Sequence, residues 1–203
     1  MMRMLRPAAR LAPSERRVLI ERAATRLFAE RGYVATTVDD IVQAAGLTKP
    51  MLYRHFESKQ ELCIALLERF RAELIAAPLA RFTAGAVDQR AQLGTMIDAW
   101  LEHIEQHPDE TRLLFTPILG DPEVGRVQRD LHARQRATQV ALLRELVPRL
   151  EGPEAESLGE GIRSSLAGVA LWWLDHPDVP RHIPARALLR LIQGILVPLE
   201  ETA

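Results

Sequence analysis

Apolar residues recur along this chain at three- and four-residue steps from Ile20 to Leu199, and no strand-length stretch alternates apolar with polar. The spacing predicts helices near 14–31, 37–45, 48–56, 58–77, 88–106, 109–119, 122–149, 154–175 and 184–200. Gly32, Gly46, Pro78, Pro108, Pro117, Pro122, Gly152-Pro153, Pro177, Pro180 and Pro184 punctuate them. The expected fold is therefore all-α, with about nine helices: three short ones in front and a helical bundle behind. Ser14 should cap the first helix, whose stripe is Ile20, Ala23, Ala24, Leu27 and Phe28. Ser58 and Glu61 form a capping-box pair ahead of Leu62, Leu66, Phe70 and Leu74, a helix expected to run to about Ala77, before Pro78. The half of 122–149 between Arg126 and Arg136 is polar and reads as solvent-facing.

Around one stretch, Thr36 to Lys59, the pattern becomes specific. Thr37 with Asp40 makes a capping box, and Val38, Ile41, Val42 and Ala45 form one apolar face. Gly46 can take positive φ and end that helix, leaving Leu47 to plug the corner. Thr48 then suits an N-cap with Lys49 and Pro50 in the first turn, and Leu52 and Phe56 face inward. Met51, Tyr53, Arg54 and His55 are left outward. A braced short helix presenting such groups fits a DNA major groove. Arg and Lys pair with guanine edges or phosphates, and Tyr and Thr hydroxyls go to phosphates. The candidate DNA-binding residues are Thr36, Thr37, Thr48, Lys49, Pro50, Met51, Tyr53, Arg54, His55 and Lys59.

This stretch resembles the helix-turn-helix of the tetracycline-repressor (TetR) family of bacterial transcription regulators. The resemblance is carried by Thr37, Ile41, Ala45-Gly46-Leu47, Leu52-Tyr53, His55-Phe56 and Ser58-Lys59, within roughly residues 14 to 65. Asp39-Asp40 depart from the pattern, because many members place a base there. Two acids suit a helix N-terminus but repel phosphates, so first-turn contacts rest on the hydroxyls of Thr36 and Thr37. The resemblance implies a repressor that binds a near-palindromic double-stranded operator as a homodimer and leaves it when a small-molecule effector binds in the body. It implies a ligand pocket there, for which Trp100, His103, Phe115 and Trp172 are candidates, and pairing of subunits through the last two helices.

The residues of those two helices read the same way. Ser164, Ser165, Ala167, Gly168 and Ala170 precede Trp172-Trp173, and small residues let helices approach closely. Residues 184–200 are more apolar than one core face needs, so two copies could form a four-helix bundle. The expected interface comprises Ser164, Ser165, Gly168, Trp172, Leu188, Ile192, Ile195 and Leu199.

Composition narrows the classes further. The 203 residues are 47% apolar and only 5% aromatic, and no apolar run reaches membrane-spanning length. Residues 1–13, with Arg3, Arg6 and Arg10, lack periodicity and an apolar core, and read as a disordered basic tail rather than a signal peptide. One cysteine, Cys63, excludes an internal disulfide and a cysteine-based zinc cluster, which suits the cytoplasm. The net charge of −1 divides unevenly: residues 1–60 hold 11 Lys/Arg against 6 Asp/Glu, and residues 61–203 hold 15 against 21. A basic front on an acidic body approaches a polyanion with one end. The expected divisions are the tail, a DNA-binding domain at 14–60 and a ligand-binding and dimerisation domain at 61–203. His103 and His107 share a helix face without a metalloprotease pattern, and no catalytic motif stands out. No metal, cofactor or enzymatic activity is expected. The rival classes are a helical small-molecule or metal-binding protein without sequence-specific DNA binding, and a helical enzyme.

Overall fold

A computed structural model describes residues 11–81, 88–146, 150 and 152–201. The tail arginines lie outside the described residues. Nine helices and no strand occur among the described residues: α1 (Pro13–Arg31), α2 (Val38–Ala45), α3 (Lys49–Tyr53), α4 (Lys59–Leu79), α5 (Gln89–Gln106), α6 (Pro108–Phe115), α7 (Pro122–Leu146), α8 (Gly152–Leu174) and α9 (His182–Glu201).

The ends follow local chemistry, not always that expected. α1 starts at Pro13, with Ala12 rather than Ser14 at the cap position, and the Glu15 carboxylate accepts the Ala12 N–H at 2.7 Å. Proline's fixed φ favours the first helical position, which moves the cap back from Ser14 to Ala12. α2 is capped from both sides: Asp40 N–H donates to the Thr37 hydroxyl oxygen at 3.1 Å, and Thr37 N–H donates to the Asp40 carboxylate at 2.8 Å. Gly46 ends it in the left-handed region at φ 66°. α3 is five residues, shorter than the nine expected, although Phe56 N–H still reaches Leu52 O at 3.1 Å.

α4 carries Pro78 in its last turn and ends at Leu79, with Ala80 N–H donating to Ala76 O at 2.9 Å. α6 stops at Phe115 instead of continuing to 119. Thr116 precedes Pro117, and the proline ring disfavours helical backbone before it; Thr116 turns extended, at φ −78° and ψ 126°. The early half of α7 is not wholly solvent-facing. Val124, Gln128 and Leu131 are buried. Gln128 secures the broken end of α6: its Nε2 donates to Leu113, Leu114 and Thr116 carbonyls, and its Oε1 accepts the Ile118 N–H at 3.0 Å.

One core runs from Ile20 in α1 through Leu52, Phe56 and the α4 row Leu62, Leu66, Leu67, Phe70 and Leu74, to Trp100, Leu114, Trp173 and Leu188. A smaller one joins α7 to α8 through Val140, Leu143, Ala155 and Ile162. α4 thus contributes to packing on both sides of the expected boundary near residue 60. Glu21, buried in α1, accepts from Arg17 at 2.8 Å and pairs with Arg69 of α4, so the front is tied to the long helix by charge as well as packing.

The turn at Gly46 can be tested in isolation. A Cβ added there meets nothing within 4 Å, so Gly46→Ala carries only the left-handed backbone penalty. We expect a loss of about 1–2 kcal/mol in urea unfolding. An unchanged midpoint would show that this turn can relax to another conformation.

Candidate nucleic-acid interface

The turn between α2 and α3 fixes α3 on the protein surface. Leu47, Leu52 and Phe56 are buried, and the Arg17 guanidinium covers the Phe56 ring at 5.0 Å. Met51 packs partly against the same core. The opposite side is open: Thr48, Lys49, Pro50, Tyr53 and Arg54 are exposed and His55 is half-buried, with Tyr53 at 49%. Thr48 takes the extended conformation of an N-cap but its side chain makes no cap bond, so its hydroxyl is uncommitted to the helix.

Asp39 and Lys49 pair across the turn at 2.9 Å, both exposed. The hydrogen bond to Asp39 raises the Lys49 pKa. The acid that should repel phosphates therefore sits against a base from the next helix. Thr37 is exposed, but its hydroxyl also donates to Asp40 at 2.6 Å, and these bonds hold the Asp40 carboxyl below its ordinary range.

Two expected contacts are placed elsewhere. Thr36 is fully buried and its hydroxyl donates to Gly32 O at 2.9 Å and Leu27 O at 3.2 Å; it closes the end of α1 rather than facing a duplex. Lys59 folds back on the protein. Its Nζ donates to Tyr33 O at 2.9 Å and Thr36 O at 2.8 Å and lies 4.1 Å from the Tyr33 ring centre. Two carbonyls and an aromatic face hold the ammonium better than bulk contact at a helix start, and burial lowers its pKa. Nothing in the local spacing marked Lys59 for this, because Tyr33 and Thr36 are 26 and 23 residues away.

Above this front, Asp121 ties the body to it. Its carboxylate accepts from Tyr33 Oη at 2.7 Å, Gln60 Nε2 at 3.2 Å and the Glu123 and Val124 N–H groups at 3.1 Å, so it caps α7 as well. Burial alone would raise this carboxyl's pKa; the four donors outweigh it and lower the pKa. Sequence reasoning missed this node, which joins residues 88 and 61 positions apart.

The body separates the remaining candidates. Trp100 and Phe115 are buried and pack against each other at 6.4 Å. His103 is half-buried and its ring lies tilted against His107 at 4.4 Å; burial, then the His107 charge, lowers its pKa. Among the described residues no three His, Cys, Asp or Glu side chains gather as a metal site. Trp172 does not face the interior as a pocket residue should: it is 45% exposed and stacks on His176. A cleft of about 390 Å³ instead opens between Tyr33, Val34, Ile118 and Leu119, where none of the four pocket candidates lies.

On α8, Ser164, Gly168 and Trp172 form an exposed stripe at i, i+4, i+8, with Ser165 half-buried beside it. Leu188 is not available to a partner, being fully buried in the protomer's own core, and Ile192 packs partly on that core. Its face of α9 is claimed by α5 and α8. Among the described side chains of α9, the exposed large apolar ones are Ile183 and Leu191, at 39% and 48% exposure. The side chains of Ile195 and Leu199 lie outside the described residues.

Fold and site together define a helix-turn-helix regulator of transcription. The family described as "Bacterial regulatory proteins, tetR family" matches residues 20–66. The transcriptional activator FasR of Mycolicibacterium smegmatis is 30% identical over 171 residues, 82% of this chain and 76% of that protein. The transcriptional repressor KstR2 of Rhodococcus jostii is 40% identical over 87 residues, 43% of this chain and 42% of its own length. A TetR-like regulator from Rhodococcus sp. RHA1 superposes with a TM-score of 0.75 at 24% identity, covering 92% of this chain and 98% of that one. The chain belongs to the TetR family of bacterial transcription regulators. No helix among the described residues is long and apolar enough to cross a membrane.

Lys59→Met separates the two roles of that side chain. It should lower stability by about 1–3 kcal/mol through two abandoned carbonyls and leave the salt dependence of DNA binding unchanged. Unfolding and salt titrations check both. Unchanged stability with a salt slope reduced by about one would restore the phosphate contact.

Proposed function

We propose that this regulator binds a near-palindromic operator as a homodimer and is released from it by a small-molecule effector, in the repressing sense. Residues 14–60 read DNA; residues 61–203 hold the effector and pair the subunits in the cytoplasm. One observation carries the reading: α3 buries Leu52 while Lys49, Pro50, Tyr53 and Arg54 remain exposed on one short, braced element. Tyr53, Thr37 and Thr48 go to phosphates, and Arg54 and Lys49 to base edges or phosphates. Two such helices fit successive major grooves about 34–36 Å apart. KstR2 is named a repressor and FasR an activator; the same bound dimer occludes a promoter or recruits to it according to where the operator lies. Effector binding shifts the population only by its differential affinity for the two states.

The α8 stripe supports the pairing, and Gly168 gives a clean test. A Cβ there meets nothing within 4 Å in the protomer. Gly168→Leu should therefore fold normally by circular dichroism and yet sediment as a monomer. A stable dimer of this variant would move the interface away from α8.

At the reading helix, Tyr53→Ala should weaken binding to all duplexes alike. Arg54→Ala should relax one operator position by about 1–3 kcal/mol. Fluorescence anisotropy with a panel of duplexes reads both. Unchanged affinity for both variants would remove α3 from the interface.

A further inference from the structure

Arg71 is the exception among the buried charges of the described residues. It lies midway along α4 at 6% exposure. Glu21, equally buried, is held by Arg17 and Arg69. Arg71 has no such partner: among the described residues its one hydrogen bond runs from Nη1 to the neutral Gln135 Oε1 of α7, at 2.8 Å. Burial alone lowers its pKa, with no carboxylate opposing. A guanidinium nonetheless stays charged at any physiological pH, and a buried charge without a counter-charge is among the costliest groups a fold can carry.

The geometry of what is left open is specific. Gln135 occupies Nη1, so among the described residues the edge formed by Nε–H and Nη2–H is unclaimed. Two parallel donors on one edge match the two oxygens of a carboxylate. α4 and α7 lie alongside with Gln60 against Asp121 and Arg71 against Gln135. One turn beyond Gln135, Gln139 has a buried Oε1 with no partner. Half a turn of that carboxamide places its NH2 there instead, a further donor. Leu67 and Leu74 flank Arg71 on α4 and Leu131 precedes Gln135 by one turn on α7; all three are buried. His132, beside Gln135, supplies no anion, and burial and the nearby Arg163 and Arg71 charges lower its pKa.

We propose that Arg71 anchors the carboxylate of an amphipathic organic acid whose apolar body lies among the α4 and α7 leucines. This rests on the effector-responsive reading above and names the effector's class. The acid's carboxylate takes the Nε/Nη2 edge, and its hydrocarbon part is what admits it to an apolar interior. α4 begins beside α3, so an occupant at Arg71 bears on the helix that supports the reading element.

The test uses the full chain and three probes, octanoate, decanoate and 4-phenylbutanoate, each against its primary amide, by calorimetry and thermal shift. The wild type should bind at least one acid roughly ten- to a hundredfold tighter than its amide. Arg71→Met should abolish that preference, and Arg71→Lys, which keeps the charge without the paired donors, should fall between. Unliganded Arg71→Met should melt at or above the wild type, whereas an arginine that serves only the fold would lower it. Equal affinity for every acid and its amide, or a preference that survives Arg71→Met, overturns the proposal. Operator release is followed in parallel. Acid binding through Arg71 that leaves DNA affinity unchanged refutes the release reading alone. Release by a neutral compound, unaltered in Arg71→Met, together with equal affinity for every acid and its amide, refutes the Arg71 site alone.

Discussion

A helix of five residues cannot hold its own shape in water, because nucleation costs more than one turn of hydrogen bonds returns. Everything at the front of this protein follows from that constraint. α3 exists because Leu52 and Phe56 are buried beneath it, Gly46 turns the chain at positive φ before it, and Arg17 closes over Phe56 behind it. The double cap of Thr37 and Asp40 fixes α2, against which α3 is set. Rigid support leaves Lys49, Tyr53 and Arg54 exposed without loss of position. On the proposed reading, a surface that meets base edges needs that order before it meets DNA, since ordering on contact would subtract from affinity.

The second constraint is how the front is held to the body. Apolar packing along α4 is continuous, so the long helix belongs to both. Three polar devices add direction to it. Glu21 pins α1 to α4 through Arg69, Lys59 ties the start of α4 to the α1–α2 connection, and Asp121 joins that connection and Gln60 to the first turn of α7. Val34 closes on Gly120 at the same junction, where a Cβ would lie 2.7 Å from the valine methyl. The start of α7 therefore touches the α1–α2 connection directly, as well as through α4.

Local signals were legible in the sequence, and distant ones were not. The caps at Thr37 and Ser58, the left-handed turn at Gly46 and the inward pair Leu52 and Phe56 depend on neighbours within a few residues, which a period or a spacing reveals. The start of α1 differs because Pro13's own φ suits the first helical position, and the end of α6 because Pro117 acts on the residue before it. Type or motif points Lys59, Thr36 and Leu188 outward; Lys59 and Leu188 are committed to groups far away in sequence, and Thr36 to carbonyls at the end of α1. The same holds for Asp121, Gln128 and Arg71, which look like ordinary polar residues until the fold sets them against Tyr33, the end of α6 and Gln135. A helical period says that a residue faces inward; it does not say what waits there.

The central claim is that α3, braced as it is, reads DNA sequence in two symmetric copies. Selection of bound duplexes from a random pool by the full-length protein, read out by sequencing, tests it most directly. The account predicts enrichment of a two-fold symmetric motif with half-sites about one helical turn apart or slightly more, lost together when Tyr53 and Arg54 are replaced by alanine. A pool that stays random at physiological salt, or a motif that survives those replacements, would contradict it.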